Sequence, residues 1–244
     1  MILPDDILNA IREHAAEAFL VVDANGQPRE SCGVVIVRKG KQRYVACRNI
    51  ADRNEHFVVH PEDLAAAEDE GEIMLVVHSH PNFPATPSDS DLVGCESSGV
   101  PWLIINWPTG VTHYFEPSGY EAPLYGRQFA HGILDCYSFI QDYYLRELKI
   151  VLPKFKRPDE WWLKGQNLYL EGFAEAGFKS VTSDMQKHDV VLMQVGSQVP
   201  NHGAVILGDG CIGHHQMGRL SSRDVFGGWY QKIVTHTLRH ESLL

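Results

Sequence analysis

The chain has 244 residues, enough for two domains of common size or one large one. At 44% hydrophobic and 21% charged it is globular in composition, and a net charge of −10 argues against a non-specific nucleic-acid binder or a polybasic membrane-surface protein. The N-terminus MILPDDILNA has no basic stretch leading into an apolar core, so no signal peptide is expected, and runs such as Ile73–Val77 and Val100–Ile105 are too short for a membrane segment. Five cysteines, at 32, 47, 95, 136 and 211, form no C-x-x-C pair, so neither a disulfide framework nor a Cys-only zinc site is expected and a reducing compartment is implied. The 13 histidines are more informative, because His78/His80, His202 and His214/His215 fall in tight groups; His14, His56, His113, His131, His188, His236 and His240 read as surface or core residues.

In chain order, Asp5–Phe19 places Ile7, Leu8, Ile11, Ala15 and Ala18 near a helical period. Cys32–Val37 and Arg43–Cys47 read as a hairpin around Lys39-Gly40-Lys41. A helix over Glu62–Glu70 follows Pro61, Ile73–His78 has the continuous apolar run of a buried strand, Asp89–Ser97 reads as a short helix and Trp102–Asn106 as another buried strand. Proline and glycine cluster between Pro108 and Gly126, which predicts a linker. Beyond it, helices are expected over Cys136–Lys149 and Leu163–Ala176, and strands over Val190–Val195, His202–Leu207 and Cys211–His215, the last two joined at Gly208-Asp209-Gly210.

His78 and His80 follow a buried strand, and residues i and i+2 of an extended chain point to one side. A proline-stiffened loop leads to Ser88, with Asp91 three residues on. Two imidazoles, a carboxylate and an open position for water make a catalytic zinc arrangement. Ser88-x-x-Asp91 is equally close to a helix capping box. The pattern H-[ST]-H-P, short loop, S-x-x-D, with Pro28-Arg29-Glu30-Ser31-Cys32-Gly33 upstream, resembles the JAMM (MPN-plus) zinc isopeptidases and metalloproteases over residues 1–116. That resemblance implies a three-layer α/β fold like that of cytidine deaminases. It makes His78, His80 and Asp91 the Zn2+ ligands, Glu30 the general base and Ser88 a hydrogen-bond donor to the oxyanion.

A second constellation begins at Asp135-Cys136, where Asp is a good N-cap and Cys136 falls in the positively polarised first turn. A nucleophilic cysteine needs an imidazole base and a polar group to orient it. A three-residue loop at 208–210 would set His214 opposite Ala204 and diagonal to His202, whereas a two-residue loop would select His215. The motifs Asp135-Cys136, His202-Gly203-Ala204-Val205 and Gly208-Asp209-Gly210, with His214 twelve residues after His202, resemble the NlpC-type papain-like peptidoglycan endopeptidases over residues 117–244. The resemblance implies an α+β fold, Cys136 as nucleophile, His202 as base and His214 as orienting residue. The family's Y-x-W-G-G stretch is matched only by Tyr125-Gly126-Arg127, and its D-C-S-G reads Asp135-Cys136-Tyr137-Ser138, as in a divergent branch. Gly208–Gly213 also fits G-x-G-x-x-G, but a strand rather than a helix is expected after it, which rejects a dinucleotide site.

The two domains together resemble the tail-tip assembly proteins of long-tailed phages. Implied are a thiol and zinc hydrolase acting on peptidoglycan amide bonds during DNA entry and on peptide or isopeptide bonds, with tail-tip proteins and the host wall as partners. No nucleic acid or membrane segment is involved. The implied location is the host cytoplasm during assembly and then the virion tail tip. The rival reading is a non-enzymatic scaffold retaining both folds; a host ubiquitin-like protease sits poorly with a cell-wall hydrolase domain.

Overall fold

A computed structural model describes residues 3–54 and 56–244. The chain divides into two compact units, one running to Glu121 and the other from Ala122.

The first unit is a five-stranded sheet in the order β2-β1-β3-β4-β5: β1 (Cys32–Arg38), β2 (Lys41–Cys47), β3 (Glu72–Pro81), β4 (Trp102–Trp107) and β5 (Thr112–Phe115). The β1–β2 hairpin closes through Lys39-Gly40, both at positive φ (49° and 75°), the conformation that a two-residue turn between twisted strands requires. β3 lies between antiparallel β1 and parallel β4, which accounts for its near-continuous apolar sequence. Helix α1 (Asp5–Phe19) buries Ile7, Ile11 and Ala15 at helical spacing against Val35, Leu75, Val77, Leu103 and Ile105. A second cluster, Cys32, Val34 and Ile36 with Ala67 of α2 (Pro61–Glu70), gives a layer on each face of the sheet. Helix α3 spans Asp89–Ser98.

The expected linker is partly structured. β5 pairs with β4 inside the Pro108–Gly126 stretch, and the Glu96 carboxylate accepts from the Ser118 and Tyr120 N–H groups at 2.6 and 2.9 Å. Turn residues dominate that window, and a four-residue edge strand of exposed and half-buried residues offers little periodicity to detect.

The second unit holds a six-stranded antiparallel sheet in the order β10-β9-β8-β7-β11-β6. Its strands are β6 (Phe178–Ser180), β7 (Val190–Met193), β8 (His202–Ile206), β9 (Cys211–His214), β10 (Ser222–Val225) and β11 (Val234–His240). Helix α4 (Cys136–Tyr143) packs against β8 and β9, burying Tyr137, Phe139, Ile140 and Tyr143. On another side, Tyr230 and Ile233 of the short α6 (Trp229–Ile233) pack on Val191, Met193, Ala204, Ile206 and Ile212.

Both helices expected here are shorter than their apolar patterns. The α-helix from Cys136 ends at Tyr143 and continues as a π-turn over Tyr144–Leu148, stopped by Lys149 at φ 59°. The 163–176 stretch is a 3-10 turn (Trp161–Lys164), a break at Gly165 and α5 (Leu168–Glu175).

Candidate functional sites in the two units

The β1–β3 ladder pairs Cys32 with His78. It is extended by Ser79 N–H to the Ser31 carbonyl (3.0 Å) and by Ser31 N–H to Ser79 Oγ (2.8 Å). That register brings half-buried Glu30 alongside His80. Burial pushes the Glu30 carboxyl up to about 8, with His80 opposing and Asp91 adding to the rise.

His78, fully buried, is stacked on Phe57 (ring centroids 4.6 Å) and meets Trp102 edge-on. Its Nε2 lies 3.1 Å from His80 Nε2 and 3.2 Å from Asp91 Oδ1, and His80 Nε2 lies 3.5 Å from Asp91 Oδ2. His80 Nδ1 is 2.7 Å from the Pro84 carbonyl, which can only accept, so Nδ1 carries a proton and, in the neutral ring, Nε2 keeps its lone pair. Ser88 caps α3: its Oγ accepts from Asp91 N–H at 3.2 Å and donates to Asp91 Oδ2 at 2.7 Å. The capping box and the metal-type cluster therefore coexist, and the cap aims Asp91. Burial alone would raise the Asp91 carboxyl, but His78, His80 and Ser88 hold it well below the usual carboxylate range.

One donor atom from each of His78, His80 and Asp91 fits within 4.8 Å of the others. Two imidazole nitrogens and an ionised carboxylate turned toward one point fit a zinc ion with a further position open.

In the second unit, Asp135 caps α4 by accepting from Ser138 N–H (2.9 Å), and Arg157 donates to its Oδ2 through Nε (3.0 Å) and Nη2 (2.8 Å). Arg157 in turn lies over the Tyr137 and Phe155 rings. Cys136 lines a cavity of about 230 Å³ together with His202, His131, Tyr169, Trp162 and Asn201. Its Sγ lies 2.8 Å from the Tyr169 hydroxyl. Burial, reinforced by Asp135, pushes the thiol up to about 11, while burial and the neighbouring His214 and His215 bring His202 down to about 3. Thiol and imidazole are therefore both neutral at rest.

The 208–210 turn has three residues, so Ala204 pairs with His214. His202 Nε2 meets His214 Nδ1 at 2.8 Å, and His214 Nε2 meets Asp224 Oδ2 at 3.2 Å. His215 faces elsewhere, edge-on to Phe129. Tyr125 packs against Phe139 and is not among the cavity-lining residues.

The profile of prokaryotic homologs of the JAB domain matches residues 4–116, and that of the NlpC/P60 family matches residues 126–239. Tail tip assembly protein K of Escherichia phage N15 is 35% identical over 236 residues, 96% of this chain and 97% of that one. The protein of the same name from Escherichia phage lambda is 40% identical over 183 residues, 75% of this chain and 89% of its own. The chain belongs to the tail tip assembly protein K family. Among solved structures, a protein from Salinibacter ruber aligns over 48% of this chain and 81% of its own, at 24% identity and a TM-score of 0.34.

This member of the K family thus has a JAB-like unit followed by an NlpC/P60 unit. Glu30, His78, His80, Ser88 and Asp91 gather in the first unit; Cys136 and His202 share one cavity in the second, with His214 behind His202. Sequence reading did not single out Asp224, Tyr169 or Arg157, and it placed His131 among surface or core residues, whereas His131 lines the cavity with Cys136. Asp224 sits on an edge strand with no apolar alternation, and Tyr169 and Trp162 look like packing residues until the fold turns them toward the thiol.

Proposed function

We propose that the chain acts in phage tail-tip assembly and is a hydrolase with two centres. The cysteine centre cleaves peptide amide bonds of host peptidoglycan as DNA enters, and the zinc centre cleaves peptide or isopeptide bonds. Such a protein works in the host cytoplasm during assembly and then at the tail tip, with tail proteins and the wall as partners.

The observation that carries this reading is the cavity shared by Cys136 and His202, with His214 and Asp224 in line behind. When an amide carbonyl enters, the Cys136 thiol proton passes to His202 and sulfur attacks the carbonyl carbon. First-turn N–H groups of α4 favour the developing oxyanion, and His202 returns its proton to the leaving amine. Water then hydrolyses the thioester with His202 as base.

In the first unit, His78, His80 and Asp91 would hold zinc. Zinc, when bound, supplies a Lewis acid that brings the pKa of a coordinated water to about 7. Glu30, alongside His80, would take a proton from that water and pass it to the leaving amine. Ser88 holds Asp91 in place and presents its hydroxyl beside the site.

The scaffold reading draws on the burial of the site, which pushes the Cys136 thiol up and the His202 imidazole down and so works against a stored thiolate. Mass spectrometry of muropeptides after digestion of purified peptidoglycan separates the two. Wild type should release peptide fragments, and Cys136→Ala should lower the rate by on the order of 10⁴-fold or more. If wild type cleaves nothing and the Cys136→Ala phage is fully infectious, the scaffold reading stands.

A further inference from the structure

The hydrogen-bond chain behind His202 does not end at His214, and its far end has a fixed polarity. Asp224, on β10, accepts from the Tyr230 hydroxyl at 2.8 Å and from Arg219 Nη1 at 3.3 Å, and its Oδ2 lies 3.2 Å from His214 Nε2. An ionised carboxylate only accepts, so His214 must carry its proton on Nε2. A neutral His214 then offers a bare Nδ1, which accepts across 2.8 Å from His202 Nε2. With Nε2 protonated, His202 is left with a bare Nδ1 as its only acceptor, and His202 lines the cavity that holds the thiol.

We propose that Asp224, held by Tyr230, is a positioning residue that sets the tautomers of both histidines and so makes His202 Nδ1 the proton acceptor for Cys136. The proposal rests on the cysteine-hydrolase reading for its use, but not for its geometry. In the step it prepares, the S–H bond breaks, the proton goes to Nδ1 of His202, and the electron pair stays on sulfur; the resulting imidazolium is stabilised through His214 by the Asp224 carboxylate, which takes no proton. Without Asp224, His214 Nε2 is left facing the Tyr230 hydroxyl at 3.5 Å, which can donate as well as accept, so the direction of the His202–His214 bond is no longer fixed, and the reverse arrangement puts the proton on His202 Nδ1, where it can accept nothing from the thiol.

The test uses the full chain labelled with ¹⁵N at histidine. In wild type, the side-chain nitrogen shifts should show both His202 and His214 protonated on Nε2. Asp224→Ala should bring in Nδ1-protonated His202, as should Asp224→Asn, whose amide can donate to His214 Nε2, whereas Asp224→Glu, which keeps an acceptor-only carboxylate, should retain the wild-type pattern. Asp224→Leu, of similar size and also without an acceptor, replaces the alanine variant if that variant fails to fold. Iodoacetamide labelling of Cys136, read by peptide mass spectrometry, should slow on the order of tenfold to a hundredfold in the acceptor-less variant and recover in Asp224→Glu. A wild type with His202 protonated on Nδ1, or a folded acceptor-less variant with unchanged shifts, overturns the proposal. If the tautomers behave as expected but wild type cleaves no peptidoglycan, the hydrolase reading fails and the tautomer assignment survives.

Discussion

The two sites are held together by opposite electrostatics. In the first unit, charge is retained: Asp91 is kept ionised among two imidazoles and a hydroxyl, as a cation site requires. In the second, charge is suppressed: Cys136 is pushed up to about 11 and His202 down to about 3, and the ionised groups stand one step back, as Asp135 with Arg157 and as Asp224. A centre organised by a cation can assemble around a standing carboxylate, whereas a buried thiol must stay neutral until a substrate changes its surroundings. The supporting charges of the second site are therefore structural as well as chemical, and that difference can be tested.

The largest expected effect is at Arg157. Its pairing with Asp135 is buried on both sides, with side-chain exposures of 4% and 2%. Arg157→Ala leaves the Asp135 carboxylate buried without its cation, for a loss of roughly 3–5 kcal/mol. Hydrogen exchange resolved by segment should show protection falling around α4 while the β1–β3 ladder is unchanged. Equal loss in both units would mean that the second site does not depend on its standing charges.

The first site should respond to metal instead. Zinc at a hundredfold excess over its dissociation constant should stabilise the first unit by about 2.7 kcal/mol, an increment removed by chelator and absent in His78→Ala. Metal analysis of wild type should find one zinc per chain bound there. A zinc-dependent shift of the same size in His78→Ala would place the ion elsewhere.

These effects also separate what the sequence reveals from what it hides. The metal cluster is compressed into residues 78–91, where strand alternation and a capping motif fix the directions of His78, His80 and Asp91 with little help from the rest of the fold. Glu30 needed the family resemblance, because the long-range β1–β3 register and the Ser31–Ser79 contacts bring it beside His80. In the second unit, Cys136, His202 and His214 stand in motifs. The choice between His214 and His215 depended on loop length, which glycine content suggests but does not fix. β6, β10 and β11 escaped notice: two are very short, and β11 carries Arg239 and four histidines or threonines where apolar alternation would be expected. Arg239 is accommodated by its two bonds to Asp189 at 2.7 and 2.9 Å, a long-range pairing that no local pattern announces.

An acid-side effect follows from the neutral histidines. His202 has an ordinary value of 6.5 and is held at about 3 by burial and its histidine neighbours, and His215 is likewise held at about 4. Between about pH 6.5 and pH 3 the unfolded chain binds protons that the folded chain refuses, so the second unit loses stability as pH falls through that window and is unaffected by these groups above it. Thermal melts from pH 7 to pH 4 should show this decline, and His202→Asn should flatten it. A slope unchanged by that substitution would assign the acid sensitivity to other groups.

The smallest effect is a matter of sign. Tyr169 Oη and Cys136 Sγ are 2.8 Å apart, and either atom can be the donor. If the phenol donates, it favours the thiolate, together with the backbone N–H of Gly203. Tyr169→Phe then removes one of two donors and pushes the thiol above about 11. One hydrogen bond is worth about 0.5–1.5 kcal/mol, so iodoacetamide labelling of Cys136 should slow by roughly two- to tenfold. If instead the thiol donates to the phenol, the hydroxyl restrains the neutral form, and its removal should speed labelling. The Tyr169 hydroxyl is strongly held in its protonated form by burial first and by Cys136 and Asp135 beyond that, so a proton is always present on it to offer. Slower labelling in Tyr169→Phe is the expected result, and faster labelling would make Tyr169 a restraint on the thiol rather than a support for its ionised form.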